Sequence, residues 1–518
     1  MTSTGQRWIS RRGTIAGVAG LAGVGALGAG LARRGSTPTD RFTVAVSQSP
    51  PILDMALAGS STNVLRPTIE NVVETLISNG PNGDIRPGVC DWTISDDAKT
   101  IDYHVRPGVR FHTGDLVTAH DIKWSHDRTL ANLPSYRSRC YDLSHVEALD
   151  DRTVRFSFKT SGGTYLRMRG CYVYSKNYYD KVGEAAYVAR PVGTGPYRLT
   201  RFKTSEYVEL DAFDGYWGPK PHIRHARIVY VLEDMTRVAM LRSGEADLIM
   251  AVPFSMVPVL ENMGYGRADA DVHPTFSIRF QLANPNTPWM DRRVRLAIAH
   301  AIDADTMIKG LFGGVPHHFA GFGPTEEGYD PTLKPYPYDP ERARALLAEA
   351  GYSKGFTMPF TYFTNSYYGS RETAEVVTLY LRRVGIDVKA AAVDSSQTLG
   401  FNRENGRNPK AVMVTLATAV FASYADPVEA MRFSYGTRPS NSWYPSREFD
   451  VLIDKAIRAN TPEARAEALR NCTRKIHEDI PIIPLWNNVV VYMMRPGIGF
   501  APIQRDVPLM RLKDITQA

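Results

Sequence analysis

The sequence predicts an α/β fold of several domains, and three observations lead to this prediction. The chain has 518 residues, which is enough for two or three domains with a substantial core. Segments with the two-residue period of a strand alternate with segments that have the period of a helix. No internal repeat and no low-complexity linker follows residue 40. Together these features indicate an α/β chain rather than an all-helical or all-strand one.

Strands are predicted where apolar residues alternate with polar ones or form short uninterrupted runs. The alternation of Phe42, Val44 and Val46 predicts the first strand. The other predicted strands are 101–105 and 109–111 around an Arg-Pro-Gly turn, 154–158, the apolar run 226–232, 386–393 and the buried run 411–420. The last run is too short to cross a bilayer.

Helices are predicted where a capping residue precedes an apolar stripe of helical period. Asp291 and Asp339 are strong caps, and Pro340 fits the first turn of the second of these helices. The predicted helices run from Asp234 as the cap to near Gly244, from Asp291 to about Ile302, from Asp339 to Gly351, and over 371–383.

The first 32 residues have the pattern of an export signal. Arg11 and Arg12 precede an uncharged stretch, 15–31, which is rich in Gly and Ala and ends in small residues near Ala32. Adjacent arginines are typical of the twin-arginine route. The alternative is a retained membrane anchor, although the stretch is short and weakly apolar for a span of about 20 residues. Both interpretations predict a protein that works outside the cytoplasm, in the periplasm.

The charge of the chain gives no reason to expect a nucleic-acid partner. The formal charge is +7, and removing the three arginines of the leader leaves about +4 for the remainder. This is nearly balanced for a chain of this length, so neither nucleic acid nor an acidic membrane surface is an expected partner.

The four cysteines permit two states. Cys140 and Cys171 are close in sequence and could form a disulfide in an oxidising compartment. The alternative is that these two, together with Cys90 and Cys472, are buried thiols. No Cys-x-x-Cys pair is present, which argues against a redox or zinc motif. No cysteine lies near the leader exit, so a lipid-anchored protein is not expected.

Four blocks of sequence carry a family resemblance in order along the chain. They are 71–130, which contains Arg-Pro-Gly-Val-Arg-Phe-His-Thr-Gly at 106–114; Pro-Val-Gly-Thr-Gly-Pro-Tyr at 191–197; Asp-Arg-Arg-Val-Arg-Leu-Ala at 291–297 with Ala-Ile-Asp at 301–303; and Asn-Ser-Trp-Tyr at 441–444 with Glu-Phe-Asp at 448–450. Each motif alone is weak, but the ordered series resembles the family 5 extracellular solute-binding proteins, which are the peptide and nickel binders of ABC importers.

This resemblance implies a two-lobed periplasmic binding protein fold (type II, cluster C-like) with an extra subdomain in the first lobe. The first lobe would cover 40–274, with the subdomain near 72–190, and 488–518 would complete it. The second lobe would cover 275–487. Such a protein captures a solute by hinge closure and delivers it to an ABC permease in the membrane. The resemblance implies a monomer with no enzymatic activity and no cofactor.

The resemblance also implies ligand-binding residues in a second-lobe loop. In peptide-binding relatives an aspartate of this loop holds the amino terminus of the ligand, and the matching position here is Ser423. Asp426 is a substitute for that aspartate, or it only caps the following helix. Tyr424, Trp443 and Tyr444 are candidate stacking surfaces, with an ordinary place in the core as the alternative.

The remaining ligand-binding candidates are small or polar. Gln281 and Asn284 belong to a segment, 280–284, that resembles the family strand ending in Asn near the hinge, and their amides face the solute or make structural hydrogen bonds. Gly193, Thr194 and Gly195 lie beside the ligand, because glycine permits close backbone approach, or they form a structural turn.

One arginine and two pairs of histidines are candidates for an anion clamp and a metal site. Arg295 resembles an anion clamp, although its place on a helix favours a structural ion pair. His222 and His225 are three residues apart, as on one helix face, and 317–318 is a histidine pair. Neither pair has a carboxylate or cysteine at convincing spacing, so no metal site is predicted.

A short peptide is the expected solute. Non-peptide solutes are the alternative: an opine, an oligosaccharide, a sugar phosphate, or a metal chelate or haem. An exported hydrolase is the rival from another class, although neither Gly-x-Ser-x-Gly nor His-Glu-x-x-His occurs in the chain. A chaperone or signalling receptor with the same clamshell is a further alternative.

Overall fold

The structure is a computed structural model. It describes residues 41–58, 62–81, 84–167, 169–324, 326–364, 369–394, 397–406, 408–419, 426–437, 442–459, 461–503 and 510–517. The predicted leader, 1–32, lies outside the described residues. In the described part of the chain, no helix has both the length and the apolar character needed to cross a membrane.

The fold alternates helices and strands along its whole described length. The helices are α1 (Thr62–Ile69), α2 (Ala119–Asn132), α3 (Pro134–Arg139), α4 (Gly163–Arg167), α5 (Lys176–Val182), α6 (Glu184–Ala189), α7 (Asp234–Ser243), α8 (Val257–Asn262), α9 (Arg292–His300), α10 (Ala304–Phe312), α11 (Pro340–Glu349), α12 (Ser370–Arg383), α13 (Thr398–Asn405), α14 (Pro427–Ser434), α15 (Arg447–Arg458) and α16 (Pro462–Asp479). The strands are β1 (Phe42–Val46), β2 (Ile77–Asn79), β3 (Ile85–Pro87), β4 (Cys90–Ile94), β5 (Thr100–Val105), β6 (Leu143–Ala148), β7 (Thr153–Phe158), β8 (Tyr197–Lys203), β9 (Tyr207–Ala212), β10 (His225–Tyr230), β11 (Leu248–Met250), β12 (Gly266–Phe280), β13 (Phe356–Thr364), β14 (Ile386–Asp394), β15 (Val414–Ala419), β16 (Ile482–Met494), β17 (Ile498–Gly499) and β18 (Thr516–Gln517).

A mixed ten-stranded sheet in the order β14-β13-β15-β12-β16-β11-β1-β10-β9-β8 organises the molecule. Its two central strands are long, with 15 residues in β12 and 13 in β16, and they pair antiparallel along almost their whole length. β11 pairs with one end of β16 and β15 pairs with the other end of β12. The ladder between the two long strands shifts register between Val272 and Thr275 and again between Phe276 and Ser277. The two halves of the sheet are therefore joined by one strand pair that is irregular at its middle.

The predicted lobe boundaries fall inside these two strands. The boundary at 274–275 lies within β12 and the boundary at 487–488 lies within β16. The division into 40–274 with 488–518, and 275–487, stays a prediction.

A separate four-stranded antiparallel sheet, in the order β4-β5-β7-β6, lies within the range predicted for the extra subdomain. Its own apolar core contains Cys90, Cys140 and Cys171. Cys472 is buried in the main core, and all four cysteines are thiols. Burial raises the pKa of Cys171 and of Cys472, the latter to about 12, so both are protonated at neutral pH. The described structure thus has four buried thiols, the alternative to a disulfide between Cys140 and Cys171.

The capping predictions at Asp291 and Asp339 are confirmed. Their side chains accept hydrogen bonds from the backbone N–H groups of Arg293 and Arg342, each at 2.8 Å. The helix at 234–243 also forms, but Glu233 occupies its N-cap position. The prediction of a cap at Asp234 was therefore wrong.

The strand predictions at 42–46, 101–105, 154–158 and 386–393 are confirmed to within one residue. The run at 226–232 forms β10 but ends at Tyr230, and the run at 411–420 forms a strand only from Val414. No strand forms at 109–111, where the structure has only an isolated bridge between Arg110 and Leu116. Two turns, one on each side of this short segment, leave it no neighbouring strand to pair with.

Candidate functional site

The second half of the large sheet has one apolar face and one polar face. Residues of β12 alternate between them, because successive side chains of a strand point to opposite sides. Phe276 and Ile278 project into the main core. Thr275, Ser277 and Arg279 therefore project to the other face, where Thr275 and Ser277 are buried.

Arg279 belongs to a row of polar side chains that crosses three strands. It is paired with Thr415 of β15, and Thr415 is in register with Thr361 of β13. Both threonines are buried. A buried polar row in the middle of a sheet is unusual, since each of its polar atoms needs a partner.

A helix and a tryptophan cover this row. The Nη2 of Arg279 donates to Oδ1 of Asn402 in α13 at 2.5 Å, and the guanidinium lies 3.9 Å from the ring centre of Trp443. Phe401 of α13 contacts the ring of Trp443 from the helix side. We call Arg279, Asn402, Thr415 and Trp443 the Arg279 cluster.

Several polar atoms of the Arg279 cluster are buried without a partner. Nε of Arg279, Oγ1 of Thr415 and Nε1 of Trp443 make no hydrogen bond to any described residue. Burial lowers the pKa of Arg279 to about 10, so the guanidinium remains charged at neutral pH. The Arg279 cluster thus combines a positive charge with three buried N–H and O–H groups that make no hydrogen bond to any described residue.

Asp426 is fully buried at the start of α14. Its side chain accepts a hydrogen bond from the backbone N–H of Val428 at 2.8 Å, which makes it the helix cap that the sequence predicted as an alternative. Oδ1 also accepts from Arg465, whereas Oδ2 has no partner among the described residues.

Asp426 is one end of a chain of four charged side chains. Arg465 pairs with Glu327 at 3.3 Å, and Glu327 pairs with Arg167 at 3.2 Å. Arg167 ends α4, beside the four-stranded sheet, and the other three residues belong to the second half of the chain. A cation–π contact joins the same two regions: the guanidinium of Arg432, in α14, lies 3.7 Å from the ring centre of Tyr141. The chain and this contact connect α14 to the region of the four-stranded sheet.

The predicted aromatic residues have different places. Trp443 belongs to the Arg279 cluster, as described. Tyr444 is buried in the main core, where its hydroxyl donates to Asp479, and burial together with that carboxylate raises the pKa of Tyr444. Ser423 and Tyr424 lie outside the described residues.

Gln281 and Asn284 use their amides within the protein. Nε2 of Gln281 donates to the carbonyl oxygens of Asn405 and Asn408 at 3.1 and 2.9 Å, and its Oε1 accepts from the N–H of Asn284 at 3.0 Å. Nδ2 of Asn284 donates to the carbonyl of Ala411 at 3.0 Å. These bonds fix the chain between α13 and β15, and contact of either amide with a ligand stays a prediction.

The Gly193-Thr194-Gly195 turn packs against the backbone that follows α1. A Cβ atom at Gly193 would lie 2.4 Å from the carbonyl oxygen of Val72, and one at Gly195 would lie 2.8 Å from the same atom. Oγ1 of Thr194 donates to Glu74 at 3.1 Å. Glycine is thus required for close approach of two backbones, and a ligand beside this turn stays a prediction.

Glu74 lies beside a cavity of about 220 Å³. Besides Thr194, its carboxylate accepts hydrogen bonds from the hydroxyl of Tyr216 at 2.7 Å and from Nε1 of Trp217 at 2.9 Å. We call Glu74, Thr194, Tyr216 and Trp217 the Glu74 cluster. Every residue that lines the cavity lies within 70–219 or 511–513, so the cavity does not reach the Arg279 cluster.

Arg295 has a structural role, as predicted, but its partners are different. Its guanidinium donates to the backbone carbonyls of Trp289, Met290, Asp479 and Ile480 at 2.5–3.1 Å. Among the described residues no carboxylate forms an ion pair with it, so the predicted ion pair was wrong. Carbonyl oxygens supply the acceptors that the buried cation needs.

The histidine pairs show no metal-binding arrangement in the described part of the chain. His225 begins β10 and contacts Asp211 at 2.7 Å, and His222 precedes that strand, so they do not share a helix face. No group of three or more His, Cys, Asp or Glu residues that could hold a metal ion occurs among the described residues.

Sequence reasoning missed Arg279 and Glu74. The available signal for Arg279 was an arginine inside the alternating strand that ends at Gln281. A charge at such a position needs a partner, and the sequence does not identify one. Glu74 carried no signal of its own, because its three donors come from distant segments.

Comparison with known proteins shows the family. The sequence profile described as "Bacterial extracellular solute-binding proteins, family 5 Middle" matches residues 86–442. The glutathione-binding protein GsiB of Escherichia coli (strain K12) is 26% identical over 433 residues, which cover 79% of this chain and 83% of that protein.

Two solved structures are similar over 92% of this chain. The periplasmic binding protein DppA of Helicobacter pylori, in complex with the peptide STSA, has a TM-score of 0.75 at 24% identity over 99% of its chain. NikA from Brucella suis, in complex with Fe(III)-EDTA, has a TM-score of 0.79 at 22% identity over 100% of its chain. These similarities confirm the predicted two-lobed binding-protein fold. The profile covers more than half of the chain, which therefore belongs to the bacterial extracellular solute-binding proteins of family 5.

Proposed function

We propose that this protein captures a short peptide between its two lobes outside the cytoplasm and delivers it unchanged to the permease of an ABC importer. Family membership supports solute capture, and hinge closure around the solute is the mechanism that the two-lobed fold allows. In this proposal the protein is a monomer that is exported by the leader at 1–32.

The observation that carries the proposal is the single strand pair that joins the halves of the large sheet. β12 and β16 run through both halves, and their ladder is irregular between Val272 and Ser277. An irregular segment has fewer regular backbone hydrogen bonds and bends more easily than a continuous ladder. In the proposal this segment is the hinge.

Two contacts between the proposed lobes favour the closed form. The ion pair between Arg167 and Glu327 and the stacking of Arg432 on Tyr141 both join second-lobe residues to the first lobe as we propose it. Each such contact favours the closed form and lowers the cost of closure that the solute must supply.

Two features support a peptide as the solute. GsiB, at 26% identity, is named for glutathione, a tripeptide. The free Oδ2 of buried Asp426 is an acceptor for the α-amino group of a peptide, and Arg465 supplies its other charge partner. Because Asp426 already has this partner, we expect a modest contribution from an added amine.

A thermal-melting screen of purified protein tests the proposal. The panel contains glutathione, di- and tripeptides, an opine, a sugar phosphate, an oligosaccharide and a metal chelate. We expect a peptide to raise the melting temperature, since a ligand present at 100 times its Kd adds about 2.7 kcal/mol to the free energy of unfolding.

The same samples test the rival functions. Mass spectrometry of the recovered solute should show the intact molecule, and a cleaved product would support an exported hydrolase instead. If only a non-peptide solute shifts the melting temperature, the proposed solute class is wrong while solute capture stands.

Arg167→Gln tests the closing contact at the end of the charged chain that lies farthest from Asp426. We expect about a 2- to 5-fold weaker affinity for the identified solute, because one partly buried ion pair contributes roughly 0.5–1 kcal/mol. Calorimetric titration measures this affinity. Arg224→Gln is the matched control, since Arg224 pairs with the exposed Asp214 within one half of the molecule. Equal affinities for the wild type and Arg167→Gln would contradict the role of this pair in closure.

A further inference from the structure

We propose that Arg279 binds a carboxylate of the captured solute, so that the solute class is restricted to molecules with a free carboxylate group. The proposal rests on the proposed function, because it needs a solute in the second lobe. It goes further by naming the residue, the chemical group that it recognises and the reason for the choice.

Arg279 is a half-buried cation whose Nε is buried, and it has no carboxylate partner among the described residues. In the described part of the chain no carboxylate lies within ion-pair distance of its guanidinium, and its single hydrogen bond goes to the neutral amide of Asn402. Stacking on Trp443 stabilises the charge only in part. Taking an unpaired charge out of water is costly, so such a charge is retained where a partner arrives later.

Two buried arginines, Arg237 and Arg295, show what a structural role requires. Arg237 donates to the backbone carbonyls of Val231, Leu232 and Ala251 and pairs with Asp234. Arg295, described above, donates to four carbonyls. In both cases the fold itself supplies acceptors on several sides of the guanidinium, and at Arg279 it supplies one.

The neighbours of Arg279 offer donors as well. Nε1 of Trp443 is a donor only, and the hydroxyl of Thr415 is able to donate; both are buried without a partner among the described residues. Together with Nε of Arg279, these groups place three unused N–H and O–H groups and one positive charge in the Arg279 cluster. The complement is a planar anion with several acceptor positions and no donor, which is a carboxylate.

The position of the Arg279 cluster fits a peptide with free ends. Tyr435, at the C-terminal end of α14, is close enough to influence the titration of Arg279, and Asp426 caps the opposite end of the same helix. A helix of eight residues is roughly 12 Å long. An extended chain of three residues reaches roughly 10 Å, so one tripeptide is about long enough to approach both groups.

The first arm of the test uses the free protein. Arg279→Met should leave the melting temperature unchanged or raise it, because the substitution removes a charge that has no carboxylate partner among the described residues. Arg295→Met is the matched comparison, and we expect a clear fall, because four carbonyls lose their donor. A fall for Arg279→Met as large as that for Arg295→Met would show a structural role and overturn the proposal, whatever the solute is.

The second arm measures binding by calorimetric titration with defined probes. The probes are glutathione, trialanine, trialanine amide, succinate and maltotriose. Arg279→Gln should weaken binding of the free-acid peptides about 10- to 100-fold, as expected for loss of a charge-assisted hydrogen bond, and should change binding of trialanine amide much less. Arg279→Lys should restore part of the loss, since it keeps the charge without the planar fork.

Arg227→Gln is the control for the loss of a stacked arginine. Its guanidinium also lies 3.9 Å from an aromatic ring, that of Tyr207, in the other half of the sheet. We expect unchanged affinity for every probe. Equal loss for the free acid and the amide in Arg279→Gln, or no loss for either, would overturn the proposal.

The remaining outcomes separate this proposal from the proposed function. If the wild type binds succinate but no peptide, and Arg279→Gln abolishes that binding, the peptide class fails and the carboxylate site stands. If the wild type binds only maltotriose or trialanine amide, the carboxylate site fails and solute capture stands. If no probe binds, the peptide class fails and the melting temperature of Arg279→Met decides whether Arg279 is structural.

Discussion

The Glu74 cluster and the Arg279 cluster are two polar sites of the molecule, and they differ in how many of their polar groups have partners within the protein. In the Glu74 cluster one carboxylate receives hydrogen bonds from a threonine, a tyrosine and a tryptophan. In the Arg279 cluster a half-buried cation makes one hydrogen bond, and its Nε, a hydroxyl and an indole N–H are buried without a partner among the described residues. The fold supplies every partner at the first site, and we propose that a solute carboxylate supplies the partners at the second.

The two clusters also differ in their relation to the four blocks that carry the family resemblance. Glu74 and Thr194 lie in the first and second blocks, and Tyr216 and Trp217 supply the other two donors of the Glu74 cluster. In the Arg279 cluster only Trp443 lies in one of the blocks, the fourth. Arg279 lies outside the four blocks, which is where we expect a residue that distinguishes one solute from another.

The comparison predicts its largest effect for Glu74→Ala. The substitution leaves three donors without an acceptor, so we expect the free energy of unfolding to fall by about 4 kcal/mol. Differential scanning calorimetry measures the fall. Asp214→Ala is the control, because this exposed carboxylate has only a surface ion pair with Arg224, and its loss should cost less than about 0.5 kcal/mol. Similar melting temperatures for the two variants would remove the distinction between the two clusters.

The next effect is a dependence of stability on pH at His112, which binds the same turn as Glu74. The backbone N–H of Gly193 and the carbonyl of Gly195 contact its two ring nitrogens, a pattern that requires the neutral ring. Burial lowers the pKa of His112 to about 4, against about 6.5 in the unfolded chain.

Between pH 4 and 6.5 the unfolded chain therefore binds more protons at this position than the folded chain. Stability from His112 is complete above pH 6.5, decreases as the pH falls to 4, and then changes no further. The loss is about 3 kcal/mol at most. We expect His112→Gln to flatten the profile of melting temperature against pH in this interval. His145→Gln, at an exposed histidine, should leave the slope of the wild type unchanged.

The smallest effect compares one threonine from each cluster. Thr194→Val removes a hydrogen bond to Glu74 and should lower the free energy of unfolding by about 1 kcal/mol. Thr415→Val removes a hydroxyl that has no partner among the described residues, so stability should be unchanged or slightly higher. Calorimetry on both variants tests the comparison, and a larger loss for Thr415→Val than for Thr194→Val would reverse it.

Local chemistry allowed much of the fold to be predicted. Asp291 and Asp339 cap their helices because a short acidic side chain before a helix is able to bond its first N–H groups. The alternation at 154–158 predicted a strand correctly because one face of that strand is buried. The strand at 42–46 also forms, and four of its five residues are buried. The strand predicted at 109–111 does not form, because a strand also needs a neighbouring strand to pair with. The alternation of apolar and polar residues carries no information about that pairing.

The types of residue predicted less of the candidate site. Trp443 and Tyr444 are both predicted as stacking surfaces because they are aromatic, but Trp443 lies against Arg279 and Tyr444 lies in the core against Asp479. Gln281 is predicted from its amide, which donates to the carbonyl oxygens of Asn405 and Asn408. The pattern of residue types does not tell which polar groups find partners, because those partners come from other segments of the chain, from 35 residues away for Tyr444 to 164 for Trp443.

The sequence by itself determined the α/β class, the places of the four helices that it predicted and, through the ordered motifs, the family. These depend on short-range rules of capping, alternation and turn formation, which act within a few residues. Only the tertiary structure showed that Glu74 accepts three hydrogen bonds within the protein and that Arg279 has no carboxylate partner among the described residues. The reason is physical: the cost of burying a charge depends on which acceptors and donors the fold brings around it, and chain order does not specify that set.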